Sequence, residues 1–125
     1  ESYSPEELRN IFLLKVIKDT WMIDFLVNNE SDKAEIKKLK QQCLNEFNKL
    51  FVDNMRHFPN YGGDMETLLL KCKIAHSRRI IFCEQSNRRY LTIEDIKGGF
   101  ESFVLDRKFK VVEDSVSKPP ELMYL

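Results

Sequence analysis

The stretch Tyr61-Gly62-Gly63-Asp64-Met65-Glu66-Thr67-Leu68-Leu69 runs two glycines straight into an acidic turn and then an apolar stripe. Glycine has no Cβ, so backbone at such a helix entry can lie close to a flat or anionic ligand. The same letters also spell an ordinary loop closed by an aspartate N-cap, and on these residues alone the two readings stand level. Downstream, Met65, Leu68, Leu69, Cys72 and Ala75 or His76 recur at the spacing of one helical face. That periodicity predicts a helix from about Asp64 to Arg79, with Phe82 as its outer limit.

The flanking segments are helical too. Ser4 and Glu7 form a capping box and Pro5 falls at the first helical position, where a missing N–H costs nothing, so a helix is expected over Pro5 to Lys18. Its apolar residues Leu8, Ile11, Phe12, Leu14, Val16 and Ile17 cover most of the circumference, which predicts burial on more than one side. Trp21 to Leu26 either extends this helix or turns a corner, and Asn28-Asn29-Glu30-Ser31-Asp32 reads as a break. A second helix is expected from Lys33 to Arg56, with Ile36, Leu39, Cys43, Phe47, Leu50 and Phe51 inward and Lys37, Lys38, Lys40 and Gln41 on a solvated face. Pro59 biases Phe58 away from helical angles and ends it.

Glu84 to Arg89 reads as a polar connection, after which Thr92 with Asp95 caps a fourth helix whose inward face is Ile96, Phe100 and Phe103. Gly98-Gly99 inside it costs about 1 kcal/mol per glycine relative to alanine, and either close helix packing or plain tolerance accounts for the pair. The β-leaning runs Ile80-Ile81-Phe82 and Lys110-Val111-Val112 are too short for a sheet of their own. The expected fold class is all-α: a four-helix domain over residues 1–104 and a C-terminal extension over 105–125. That extension closes on Pro119-Pro120-Glu121-Leu122-Met123-Tyr124-Leu125, an end that either stays loose or docks on a partner.

Composition narrows the function classes. At 125 residues a single core is expected, and 20 basic residues balance 20 acidic ones, so no global field favours nucleic acid or an acidic membrane. No apolar run approaches the roughly 20 residues of a membrane span, and no signal-peptide pattern opens the chain. The opening Glu1 suggests a piece of a larger protein. Cys43, Cys72 and Cys83 are odd in number and lie in apolar segments, which points away from a secreted disulfide framework and toward a reducing compartment, cytoplasm or nucleus. Cys72 and His76 share a helical face, but no Cys-x-x-Cys pair accompanies them, so no metal site is expected.

Taken with Leu70-Lys71-Cys72-Lys73-Ile74-Ala75-His76-Ser77-Arg78-Arg79 and the later Leu91-Thr92-Ile93-Glu94-Asp95-Ile96, the run resembles the small C-terminal helical subdomain, or lid, of AAA+ ATPases. In the AAA branch proper a Ser-Gly-Ala-Asp-Leu helix start leads to a paired arginine end, and a Thr-x-x-Asp helix follows. Gly62, Gly63, Asp64, Met65, Glu66, Leu68, Arg78 and Arg79 fall on that pattern without a gap. Tyr3-Ser4-Pro5-Glu6-Glu7-Leu8-Arg9-Asn10-Ile11-Phe12 is similar to the helix that opens such lids, so the resemblance covers residues 3 to about 104.

The resemblance implies a lid that closes over the adenine side of ATP and passes nucleotide-driven movement to neighbouring subunits of a ring, usually a hexamer. It implies nucleotide contact at Gly62 and Gly63, with Tyr61 and Asp64 beside them, and surface or subunit contact at Arg78 and Arg79. The ATP phosphates and Mg2+ would be held by a large α/β ATPase subdomain of the same parent chain, and a protein substrate suits such a motor. Catalytic residues are not expected here: the chain has no Gly-x-x-x-x-Gly-Lys-Ser/Thr loop and no apolar strand ending in Asp-Glu, so alone it should not turn over ATP. Other AAA+ branches reach the γ-phosphate with an arginine in the first turn of this helix. Asp64, Met65 and Glu66 cannot do so, and no phosphate-sensing arginine is expected from this turn.

Two other classes compete. Lys71, Lys73, Arg78, Arg79, Arg88 and Arg89 crowd a segment whose acid is Glu84, a local basic excess that suits phosphate backbones, although the aromatics are not interleaved with it. A self-contained helical interaction module needs only the amphipathic helices and the apolar tail.

Overall fold

A computed structural model describes residues 3–82 and 89–115, the last six as helical backbone. Cys83, the connection through Arg88, and the tail from residue 116 lie outside the described residues. In chain order the described elements are α1 (Pro5–Lys18), β1 (Met22–Ile23), a 3-10 turn (Asp24–Leu26), α2 (Ala34–Asp53), a second 3-10 turn (Met55–His57), α3 (Gly62–Ile80), β2 (Tyr90–Leu91) and α4 (Ile93–Ser115). The described residues are thus mostly helical, with four α-helices and one two-stranded sheet.

α1 begins as its letters dictate. The Ser4 hydroxyl accepts from the Glu7 N–H at 3.1 Å, and the Glu7 carboxylate accepts from the Ser4 N–H at 2.8 Å. Its burial is less complete than its apolar residues imply, however. Leu8, Phe12 and Val16 are buried with Ile11 and Leu13 packed beside them, while Leu14 and Ile17 are 66% and 68% exposed, so α1 packs against α2 and α3 but leaves a third side open. The helix ends at a corner: Thr20 has φ of 63°, and Trp21 then leads into β1.

β1 and β2 pair in parallel, Met22 with Tyr90 and Ile23 with Leu91. The all-α expectation therefore gains one small two-stranded sheet, while the β-leaning runs form no part of it, as their shortness implied. Ile80 closes α3, and residues 110–112 lie within α4. A two-residue strand is too short to carry an alternation. α2 starts one residue later than expected and stops at Asp53. Its first turns are less buried than their spacing implies, for Ile36 and Leu39 are exposed while Phe47 and Phe51 are buried. Lys40, expected in solvent, is instead half-buried and donates to Asp32 Oδ2 at 2.6 Å and to the Val27 carbonyl at 2.7 Å.

Phenylalanines form the centre of the core. Phe51 meets Phe100 edge-on at 5.1 Å and Phe47 at 5.3 Å, and Phe58 meets Phe103 at 5.0 Å, tying α2 and the loop after it to α4. Such offset and edge-to-face pairs contribute about 0.5–1.5 kcal/mol each beyond their area. The tightest seam is α3 against α4. A Cβ built on Gly99 would lie 2.9 Å from the Cys72 backbone nitrogen and 3.0 Å from its Cα, so close helix approach, not tolerance, explains this glycine. Cys72 and Gly99, Ala75 and Gly98, Asp64 and Arg107, and Arg79 and Asp95 meet in opposite numerical order, so the two helices run antiparallel.

Candidate functional site

The start of α3 is built by the residues just before it and by its own first turn. Asn60 and Tyr61 bring the chain out of the Pro59 turn, and Gly63 N–H donates to the Asn60 carbonyl at 3.1 Å. Tyr61 occupies the cap position with φ 43° and ψ −102°, a left-handed conformation that is costly for a residue with a side chain. Its ring meets Tyr3 edge-on at 4.7 Å, which places the residue before α1 beside the start of α3. No side chain caps this helix start, and Met65 N–H closes the first turn on the Tyr61 carbonyl at 2.9 Å.

The helix begins at Gly62, two residues earlier than its apolar stripe indicates. Neither Gly62 nor Gly63 has a positive φ, and a Cβ on either would meet nothing within 4 Å. Both glycines therefore face open space as bare backbone. The positive φ at this helix entry belongs to Tyr61.

Asp64 points the other way. It is 3% exposed, its Oδ2 accepts from Asn60 N–H at 2.7 Å, and its Oδ1 is paired with Arg107 of α4. Arg107 lies over the Phe103 ring at 5.2 Å. Beside this pair Lys71 bridges to Asp106, and together with Asn60, Gly63 and Thr67 these residues line an open cleft of about 400 Å³. A larger cleft of about 730 Å³ lies between α2 and the loop at Asn28 to Asp32, remote in sequence from every site residue expected above.

Arg78 and Arg79 part company at the far end of α3. Arg79 grips Asp95 with two nitrogens, Nε to Oδ1 at 2.9 Å and Nη2 to Oδ2 at 3.0 Å. Asp95 is buried in the first turn of α4, where its Oδ2 also accepts from Thr92 N–H at 3.0 Å and its own N–H donates to the Thr92 hydroxyl at 3.2 Å. Arg79 thus holds α3 to α4, whereas Arg78 is exposed. Lys71, Lys73 and Arg89 of the basic segment also have internal partners. Lys73 meets Asp19 at 2.6 Å and holds that carboxyl below its ordinary range by the hydrogen bond and by its charge. Arg89 donates to the Asp19 carbonyl and to Thr20.

No family model matches the chain, and no solved structure matches it. One relative does. The chain is 36% identical over 126 residues to the "Putative cfxQ-like protein R730" of Acanthamoeba polyphaga mimivirus, a match that takes in 100% of this chain and 26% of the viral protein. The chain therefore spans about a quarter of that relative's length.

Cys72 and His76 sit on one buried face of α3, as their spacing predicts. Burial pushes the Cys72 thiol up, and His76 meets the Trp21 ring edge-on at 4.9 Å. Among the described residues no three His, Cys, Asp or Glu side chains are grouped to hold a metal, and no helix is long and apolar enough to cross a membrane. Arg107 is the site residue that sequence reasoning missed. It lies 43 positions from Asp64, beyond any local spacing rule.

Proposed function

We propose that this chain is the lid subdomain of an AAA+ ATPase, and that the start of α3 lies against the adenine side of ATP held by a large α/β subdomain elsewhere in the parent chain. The observation that carries the reading is the open backbone of Gly62 and Gly63 at the helix entry, beside the exposed Tyr3 and its partner Tyr61. Bare backbone beside aromatic rings suits a planar base. The viral relative, nearly four times as long as the matched region, leaves ample chain for such a subdomain. Leu14 and Ile17 on α1 and Leu70 and Ile74 on α3 are exposed apolar side chains of the kind a neighbouring domain or subunit covers. In this reading the ring, usually a hexamer, uses the exposed Arg78 for subunit contact, and Mg2+ and the attacking water belong to the large subdomain.

The nucleic-acid reading loses ground because Lys71, Lys73, Arg79 and Arg89 are engaged within the domain. The expected test is a pair of substitutions. Gly63→Ala should leave the thermal stability of this chain unchanged or slightly raised, because the added methyl meets open space and alanine favours helix by up to about 1 kcal/mol. Gly63→Leu, placed in the intact ATPase, should raise the KM for ATP about tenfold or more by filling the space the base needs. An unchanged KM in the Leu variant would refute the nucleotide role.

A further inference from the structure

Asp64 and Asp95 occupy the same position, the third residue of their helices, and each meets an arginine from the later part of the opposite helix. The two differ in what the second oxygen does. Asp95 reaches back to Thr92, whose hydroxyl returns the bond, so the start of α4 is capped by its own residues. α3 has no side-chain cap, and Asp64 reaches back to the N–H of Asn60, the residue before Tyr61. The turn Asn60-Tyr61-Gly62-Gly63 is therefore held at its beginning by Oδ2 of Asp64, while Oδ1 is held by Arg107 from α4. Arg107 is itself steadied by the Phe103 ring beneath it.

We infer that Arg107 is a positioning residue for the nucleotide-facing backbone of Gly62 and Gly63. This inference rests on the lid reading above. Its physical basis is the position of the charge. A carboxylate this buried keeps its geometry only while a cation faces it, and a guanidinium supplies a planar, fixed partner that lysine does not. With Arg107 removed, Asp64 would turn toward solvent and release Asn60, and the strained Tyr61 backbone would relax. The glycine wall would then shift relative to the base without any group having touched the nucleotide.

In the intact ATPase, Arg107→Gln should raise the KM for ATP about tenfold while kcat at saturation stays within about twofold, the pattern of a lost binding surface with intact chemistry. Arg107→Lys should fall between Arg107→Gln and the natural protein. KM does not depend on how much of the preparation is active, so partial unfolding leaves this readout intact. Asp64→Asn, which keeps an oxygen for Asn60 but removes the ionic pair, is the milder variant and should raise KM about threefold. If Asp64→Asn and whichever Arg107 variants fold leave KM unchanged, or lower kcat alone, the positioning role is overturned. The Gly63→Leu result separates the two levels. A raised KM there with unchanged KM in the Arg107 and Asp64 variants removes only this inference, while an unchanged KM in Gly63→Leu removes the lid reading itself.

Discussion

Gly99→Ala is expected to lower the stability of the domain by about 2 kcal/mol, and Gly99→Leu to prevent it from folding stably. The added carbon would collide with the Sγ of Cys72 and, more seriously, with the backbone nitrogen and Cα of that residue at 2.9 and 3.0 Å. A thiol can rotate away, but backbone in the middle of a packed helix cannot. Overpacking of this kind costs up to about 3 kcal/mol, and the gain in helix propensity from glycine to alanine returns about 1. Gly98→Ala is the control: its Cβ would lie 3.3 Å from that of Ala75, a tight contact that a small adjustment relieves, so its effect should stay within about 1 kcal/mol of zero. In thermal unfolding, Gly99→Ala should melt roughly 8–16 °C below the natural chain, given the usual conversion for domains of about 100 residues. Equal melting temperatures for the Gly98 and Gly99 variants would show that the helices do not cross where these contacts place them.

Arg79→Met should destabilise the domain by about 2–3 kcal/mol. It leaves the Asp95 carboxylate, 2% exposed, with Thr92 N–H and without its cation. Breaking a fully buried pair costs about 3–5 kcal/mol, and the lower figure reflects the 39% exposure of the Arg79 side chain, which lets water replace part of the interaction. The double variant Arg79→Met with Asp95→Asn should recover part of the loss, because the uncompensated charge is gone while the amide still accepts from Thr92. A double variant as unstable as the sum of its parts would show that the two side chains do not interact.

These two predictions concern features that local sequence patterns reach unequally. The caps were legible because a capping box is a relation between residues three apart: Ser4 with Glu7, and Thr92 with Asp95, form the bonds their letters imply. The Gly98-Gly99 pair was visible but undecided, since its reason lies on Cys72 and Ala75 of another helix. The parallel pairing of β1 with β2 joins residues 68 positions apart in strands of two residues, too short for any periodicity to announce. Exposure of Leu14 and Ile17 was missed for a related reason: the spacing marks apolar positions, whereas burial needs a neighbour to cover them.

The candidate site follows the same division. Tyr61-Gly62-Gly63-Asp64 alone left an open helix entry and an ordinary capped loop level, and neither the inward turn of Asp64 nor the arrival of Arg107 could be read from it. Arg107 also lies past residue 104, where the composition changes and an extension was expected to begin. α4 continues unbroken to Ser115, and the residue that anchors the start of α3 belongs to that continuation.

The central claim, that the start of α3 faces the base of ATP, is tested most directly by photolabelling the intact ATPase with an azidoadenine nucleotide and mapping the modified peptide. The account predicts labelling within Tyr61 to Asp64 or at Tyr3, suppressed by excess unmodified ATP and reduced by Gly63→Leu. Labelling that is suppressed by ATP yet falls wholly outside these residues would contradict it.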